Sequence, residues 1–285
     1  MIESILSPSS VERKPWEAFI AGFVFTIASA FIALQIGTAS PSQSGLGFLT
    51  VAFINIAAAP FFLNLFRIEE RKREGNLFQR HAPIIEVFGY FFIAVILASS
   101  IVFVVLPADT RFALYADQIH DLQSKQIISS AQVTGQATGF AALPGLDFFS
   151  IFSNNMKVLA LAFIFSFIFG TGAIFLISWN ATILGVLVGK IAENPGAFGS
   201  VVVVPGNIVA NYLIALPLTL LRLIPHGLFE FGGYFFAAVA GGILSVAIIQ
   251  ERFMRERARV LKDSLAYLAI GAALILVGAV VEVSV

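Results

Sequence analysis

Residues 225–249 read PHGLFEFGGYFFAAVAGGILSVAII, an apolar run with one titratable pair, His226 and Glu230, at its head. A helix needs about 20 apolar residues to cross the hydrocarbon core of a bilayer, and this run is long enough. Ionisable groups inside a membrane are costly and usually have a role. The stretch therefore predicts a membrane-spanning helix with a polar site near one end.

Composition extends this prediction to the whole chain. Of its 285 residues, 58% are hydrophobic and 12% are charged, whereas in soluble domains about a quarter of all residues are charged. The apolar runs lack the short alternating pattern of membrane barrels, so we expect an all-α, polytopic bundle of transmembrane helices embedded in the lipid bilayer. The formal net charge of zero does not favour a nucleic-acid partner, and without cysteine there is no disulfide or thiolate metal site.

Seven spans are expected within a single integral membrane domain, residues 1–285. Their predicted bounds are Trp16–Ile36, Leu46–Phe66, Ile84–Leu106, Asn155–Ser178, Ile208–Ile224, Gly227–Ile249 and Ser264–Val281. The intervening segment Ala181–Gly206 is apolar but interrupted by proline and glycine, which favours a short re-entrant or interfacial element. As a full span it would raise the count to eight.

Two basic turns, residues 67–80 and 251–263, set the expected orientation. The positive-inside rule places both in the cytoplasm, which makes the chain a multi-pass protein of the cell membrane with a cytoplasmic N-terminus and an external C-terminus. Residues 107–153 then form an extracytoplasmic loop. Apolar residues recur there at helical spacing and predict an amphipathic surface helix: Phe112, Tyr115, Ile119 and Leu122.

His226 and Glu230 are four residues apart and lie on one helical face. They could form a proton relay, an ion site or a docking point for a partner. They could equally be an intrahelical pair in which each satisfies the other. We expect Pro225–Glu230 to meet Asn154-Asn155 in one polar cluster beneath the outer surface, covered by the loop of residues 107–153.

Four asparagines in or beside the spans are further polar candidates, although helix capping and helix bridging are their ordinary roles. These are Asn154, Asn155, Asn180 and Asn211. Four glycines are candidates for close helix packing: Gly185, Gly189, Gly227 and Gly241. Whether that packing lies within one chain or between subunits stays open, and a homodimer is the expected oligomer.

No catalytic motif is complete in the sequence. The zincin pattern needs two histidines flanking a glutamate, and the three histidines are far apart. The glutamate pair Glu69-Glu70 lacks an arginine at the spacing of CAAX-type membrane proteases, and a Gly-x-Ser-x-Gly elbow is absent. We therefore predict no catalytic residue, no metal and no cofactor.

The motif Pro225-His226-Gly227-x-x-Glu230, followed by small residues to Gly241-Gly242, resembles the stage II sporulation protein M (SpoIIM, DUF95) family. Asn154-Asn155 and Trp179-Asn180 strengthen the resemblance, which covers residues 154–285 as a family-like core. It implies a membrane anchor without catalytic activity that holds peptidoglycan-degrading partners at the septum during engulfment. Many relatives occur in organisms that never sporulate, so the resemblance supports fold and site more than process.

Three functions follow as hypotheses. The first is a non-enzymatic scaffold or anchor for membrane or extracytoplasmic proteins. The second is a transporter or channel for a small solute or ion, suggested by the polar cluster and the interrupted helices. A membrane hydrolase that uses His226 and Glu230 is the third and weakest.

Overall fold

The structure is a computed structural model that describes residues 14–38, 45–71, 77–124, 148–195, 204–249 and 253–284. These residues form nine helices and no strand. In chain order the helices are α1 (Trp16–Thr38), α2 (Leu46–Arg71), α3 (Leu77–Val105), α4 (Ala108–Leu114), α5 (Ala116–Ser124), α6 (Phe148–Phe169), α7 (Gly172–Glu193), α8 (Ile208–Ile249) and α9 (Phe253–Ser284).

Seven of these helices contain a segment long and apolar enough to cross a membrane. The all-α polytopic bundle is therefore confirmed. The candidate spans are Trp16–Gly37, Leu46–Ile68, Pro83–Val105, Phe148–Ile168, Gly172–Glu193, Ile224–Ile249 and Arg257–Ser284. The first three and the last agree with the predicted order, whereas the division of residues 148–249 differs.

The predicted fourth span was wrong at both ends, and the separate short element starting at Ala181 was also wrong. Helix α6 ends at Phe169, and α7 runs without interruption to Glu193. The break lies at Gly170, whose φ of +69° is left-handed and suits only glycine without strain. Hydropathy could not locate it because the apolar run continues through this position.

The predicted fifth and sixth spans are one helix, α8, with Pro217 and Pro225 inside it. Only its second part, Ile224–Ile249, is long enough to span, and Ile208–Leu221 is a shorter apolar segment. Because apolar residues occupy both sides of each proline, sequence could not tell a kink from a break.

Contacts with α3 show that α8 is bent. The Phe92 and Phe231 rings lie 4.5 Å apart, and the Ser100 and Tyr212 hydroxyls 2.9 Å apart. Between these contacts α3 rises about 12 Å, whereas α8 would rise about 28 Å if straight. The difference indicates that α8 bends between the two contacts. The two prolines lie between the contacts.

Glycines allow close contact between α7 and α3 and between α8 and α6. A Cβ on Gly185 would lie 2.7 Å from the Ile96 carbonyl of α3, and one on Gly189 would collide with Phe103. A Cβ on Gly241 would meet the Phe163 carbonyl of α6 in the same way. These three glycines therefore lie at close helix contacts within a single chain.

The two short helices α4 and α5 pack over the end of the bundle formed by α2, α3 and α7. The predicted amphipathic face is present, with Tyr115, Ile119 and Leu122 buried, but Tyr115 divides it into two helices. Arg111 of α4 pairs with Glu193 of α7 at 2.6 Å. Lys190 reaches the same carboxylate at 2.5 Å. This ion cluster fixes α4 on the last turn of α7.

Candidate polar site between helices α6, α8 and α9

Asn155 is the centre of a polar cluster that joins α6 to α8. Its side-chain Nδ2 donates a hydrogen bond to Oε1 of Glu230, and its Oδ1 accepts one from the Tyr234 hydroxyl at 2.8 Å. Asn154 adds a longer contact of 3.4 Å from its Nδ2 to Oδ1 of Asn155. The predicted meeting of Asn154-Asn155 with Pro225–Glu230 is confirmed.

Helix geometry explains why these groups meet. Glu230 and Tyr234 are one turn apart on α8 and so face the same neighbour. Helices α6 and α8 run in the same direction, since Ser166, further along α6, donates to the Ala238 carbonyl further along α8 at 2.7 Å. The two asparagines therefore lie level with the beginning of the Ile224–Ile249 span.

Helix α9 supplies a second carboxyl group, Glu282, which is not among the site residues predicted from the sequence. The Glu282 carboxyl group lies beside the Glu230 carboxyl group, close enough to interact with it. The cluster therefore brings two acidic side chains together between α8 and α9.

Gly278 makes this approach possible. A Cβ at this position would lie 3.0 Å from Cγ of Glu230, tighter than ordinary packing. Gly278 and Glu282 are one turn apart, so the face of α9 that meets Glu230 carries both. Glu282 is a single acidic residue at the end of the last apolar run, and this isolation was the sequence signal that could have identified it. Only helix packing reveals that it lies beside Glu230.

His226 does not pair with Glu230. Among the described residues no hydrogen bond or ion pair joins the two side chains, because the Glu230 carboxyl faces Asn155 and Glu282 instead. His226 is half-exposed one turn from Glu230. The interpretation of a self-satisfied intrahelical pair was therefore wrong.

The other two candidate asparagines lie elsewhere. Asn180 donates to the Leu176 carbonyl of its own helix at 2.8 Å. The Asn211 side chain makes two hydrogen bonds to the backbone of Val204, accepting one from its N–H at 2.8 Å and donating one to its carbonyl at 3.2 Å. All three hydrogen bonds connect these side chains to backbone groups. Gly227 is buried at the cluster's edge, and Gly278 and the pair Gly233 and Gly271 make close contacts nearby.

The cluster opens onto the side of the bundle. Glu230, Glu282 and His226 are half-buried, Asn154 is exposed, and the neighbouring Leu228 side chain is 68% exposed. Glu230 lies about 9 Å along the helix from the start of its span, at the end opposite the basic turns. The loop of residues 107–153 was predicted to cover this cluster. Its helices α4 and α5 pack instead on α2, α3 and α7, and its residues 125–147 lie outside the described residues.

The described residues contain no group of three or more His, Cys, Asp and Glu side chains placed to hold a metal ion. What the cluster offers is two carboxyl groups, two amides, a phenol and an imidazole. Such groups can bind a proton, accept hydrogen bonds from a cationic side chain, or anchor a polar residue of another helix.

Comparison with known proteins gives one positive result. The comparisons with curated proteins and with solved structures each found no match. The family model described as stage II sporulation protein M matches residues 18–285, nearly the whole chain and more than the predicted core of residues 154–285. Pro225–Glu230, the asparagine pair and Gly278 all fall inside this match, and the chain belongs to the stage II sporulation protein M family.

Proposed function

We propose that this protein is a non-enzymatic membrane scaffold that docks a partner protein through the polar cluster between α6, α8 and α9. The observation that carries the proposal is the position of the two carboxyl groups. Glu230 and Glu282 are half-buried on the side of the bundle, within reach of another membrane segment, and neither forms an ion pair with a described lysine or arginine.

The chemistry of the cluster defines what a partner must bring. Asn155 and Tyr234 hold one carboxyl group in place, while His226 and Asn154 remain accessible beside it. A partner helix with a lysine, arginine or amide side chain at this depth would complete the hydrogen bonds of the two carboxyl groups. Its apolar residues would cover Leu228. Such polar pairs between membrane helices are favourable because lipid offers no alternative partner.

Site-specific photo-crosslinking in native membranes tests the docking role. A photoreactive amino acid at Leu228, beside the cluster, should give a discrete product with a partner protein. The same residue at Leu265, equally apolar and 62% exposed on α9 away from the cluster, is the control. Glu230→Gln should abolish the Leu228 product, whereas Glu86→Gln, an exposed acid on α3, should preserve it.

Equal product from Leu228 and Leu265, or a product unaffected by Glu230→Gln, would contradict docking through this cluster. The homodimer expected from the sequence gains no support from Gly185, Gly189 and Gly241, because all three are used inside one chain. A crosslink between two copies of this chain at Leu228 would make the partner a second copy.

A cation-coupled transporter is the second candidate function. It is favoured by two neighbouring carboxyl groups, one of them on a helix that contains Pro217 and Pro225, because transporters build ion sites beside irregular helices. Purified protein in liposomes under an imposed pH gradient should then move solute or protons, and Glu230→Gln should stop the flux. No flux above empty liposomes in either direction would exclude this candidate.

A further inference from the structure

A second polar region lies away from the cluster, between α3, the α4–α5 cap and α7. It comprises Ser99, Tyr115, Gln118, Ser178 and Thr182, and we call it the polar seam. All five side chains are fully buried. Four of their polar atoms have no hydrogen-bond partner among the described residues: Ser99 Oγ, Tyr115 OH, Gln118 Oε1 and Ser178 Oγ.

The seam is continuous along one face of α7. Gln118 Nε2 donates to Thr182 Oγ1 at 3.3 Å, and Ser178 is one turn before Thr182. Further along the same face a Cβ on Gly185 would lie 2.7 Å from Cβ of Ser99. The Tyr115 hydroxyl lies beside Ser99, although the two hydroxyls do not complete a well-formed hydrogen bond.

Unpartnered buried polar atoms are rare in proteins, and each needs an explanation such as water or another conformation. Four in one region point to a common cause. Burial raises the pKa of the Tyr115 hydroxyl above its ordinary value, so this group keeps its proton and remains a donor. The seam therefore presents hydroxyls and an amide, with no charge of its own.

The bent part of α8 lies next to this seam. We call Ile208–Leu221 the arm. Tyr212 and Ala215 of the arm pack in one apolar cluster with Tyr115 and Val186. The Ser100 hydroxyl donates to the Leu97 carbonyl at 2.9 Å, so it accepts from the Tyr212 hydroxyl at 2.9 Å. This bond connects the arm to the residue that follows Ser99.

We propose that the polar seam is a binding site for water and small uncharged polar molecules, and that the arm opens and closes it about the prolines of α8. In the closed state the Tyr212–Ser100 hydrogen bond holds the arm and limits access to the seam. When the arm moves, water or a polar solute reaches the four unpartnered atoms. This inference is independent of docking at the α6–α8–α9 cluster.

The absence of cysteine from the sequence makes a direct test possible. Ser99→Cys places one thiol in the seam. Ala98→Cys, the neighbouring residue and also fully buried, is the matched control. The full-length protein in liposomes is treated with hydroxyethyl methanethiosulfonate, a small neutral polar reagent, and labelling is followed by mass spectrometry. We expect the thiol at position 99 to react and the thiol at position 98 to remain unlabelled.

The second part of the test removes the hydrogen bond that holds the arm. Tyr212→Phe keeps the ring and loses only the hydroxyl, so it should raise the labelling rate at position 99 about fivefold, the factor by which one ordinary hydrogen bond changes an equilibrium. Ser178→Cys, with Ala181→Cys as its buried control, repeats the measurement if Ser99→Cys does not fold.

Each contrary result overturns the proposal. Labelling at neither position of a pair, with and without Tyr212→Phe, would show a permanently dry seam. Equal labelling within a pair would show general loosening of the bundle. Labelling at position 99 that does not respond to Tyr212→Phe would show that the arm does not control access.

Discussion

At the scale of single residues, Asn155 is the side chain on which the polar cluster depends. One amide bonds to a half-buried carboxyl group and a buried phenol on the same face of α8. Sequence could propose Asn155 and Glu230 separately, because each interrupts an apolar run. It could not show that His226 and Glu230 do not bond to each other, because their four-residue spacing is equally compatible with a direct pair.

Replacing Asn155 with leucine, which has a similar shape, should lower the free energy of unfolding by about 3 kcal/mol. The buried Tyr234 hydroxyl and the half-buried Glu230 carboxyl group then lose a partner, at about 1–3 kcal/mol each. Unfolding by SDS titration in mixed micelles measures the change. Asn180→Leu is the control, because its side chain bonds only to its own helix, and it should cost less than about 1 kcal/mol. Equal losses would show that the cluster adds no stability.

At the scale of elements, the pairing of α8 with α9 is set by glycine. A Cβ on Gly233 would lie 2.9 Å from the Gly271 carbonyl, and a Cβ on Gly271 would lie 2.9 Å from the Gly233 carbonyl. The two helices therefore cross with their backbones nearly in contact. Sequence pattern predicts packing at Gly227 and Gly241 in this helix but not at Gly233, because small residues are frequent along α8 and only the partner helix distinguishes them.

Gly233→Ala should separate α8 from α9 and destabilise the bundle by about 1–3 kcal/mol, the usual cost of overpacking. Gly89→Ala on α3 is the matched control, since nothing lies within 4 Å of its added Cβ. It should be neutral or stabilising by up to about 1 kcal/mol, because alanine favours a helix. Thermal unfolding in detergent compares the two, and a Gly233→Ala variant as stable as Gly89→Ala would refute the close crossing.

At the scale of the whole molecule, the alternating helix directions place the basic turns at one end and the polar cluster at the other. The positive-inside rule then predicts that the cluster lies toward the outside of the cell. Because the chain contains no cysteine, single cysteines report sidedness without background.

A membrane-impermeant maleimide should label Ser284→Cys in intact cells and Arg257→Cys only after lysis. Both positions are exposed at opposite ends of α9, which makes each the control for the other. The charge rule sets the direction, since translocating the arginine-rich turn is unfavourable. The reverse labelling pattern would invert the topology and move the polar cluster to the cytoplasmic side.

The sequence by itself determined the membrane class, the all-α bundle and two of the three stretches that form the polar cluster. These follow from local properties, because apolar length and isolated polar residues can be read along a single helix. The tertiary structure decided where residues 148–249 divide, how α8 bends, and that Glu282 rather than His226 is the partner of Glu230. Those outcomes depend on a left-handed glycine, on prolines that bend a helix without ending it, and on contacts between helices distant in the chain.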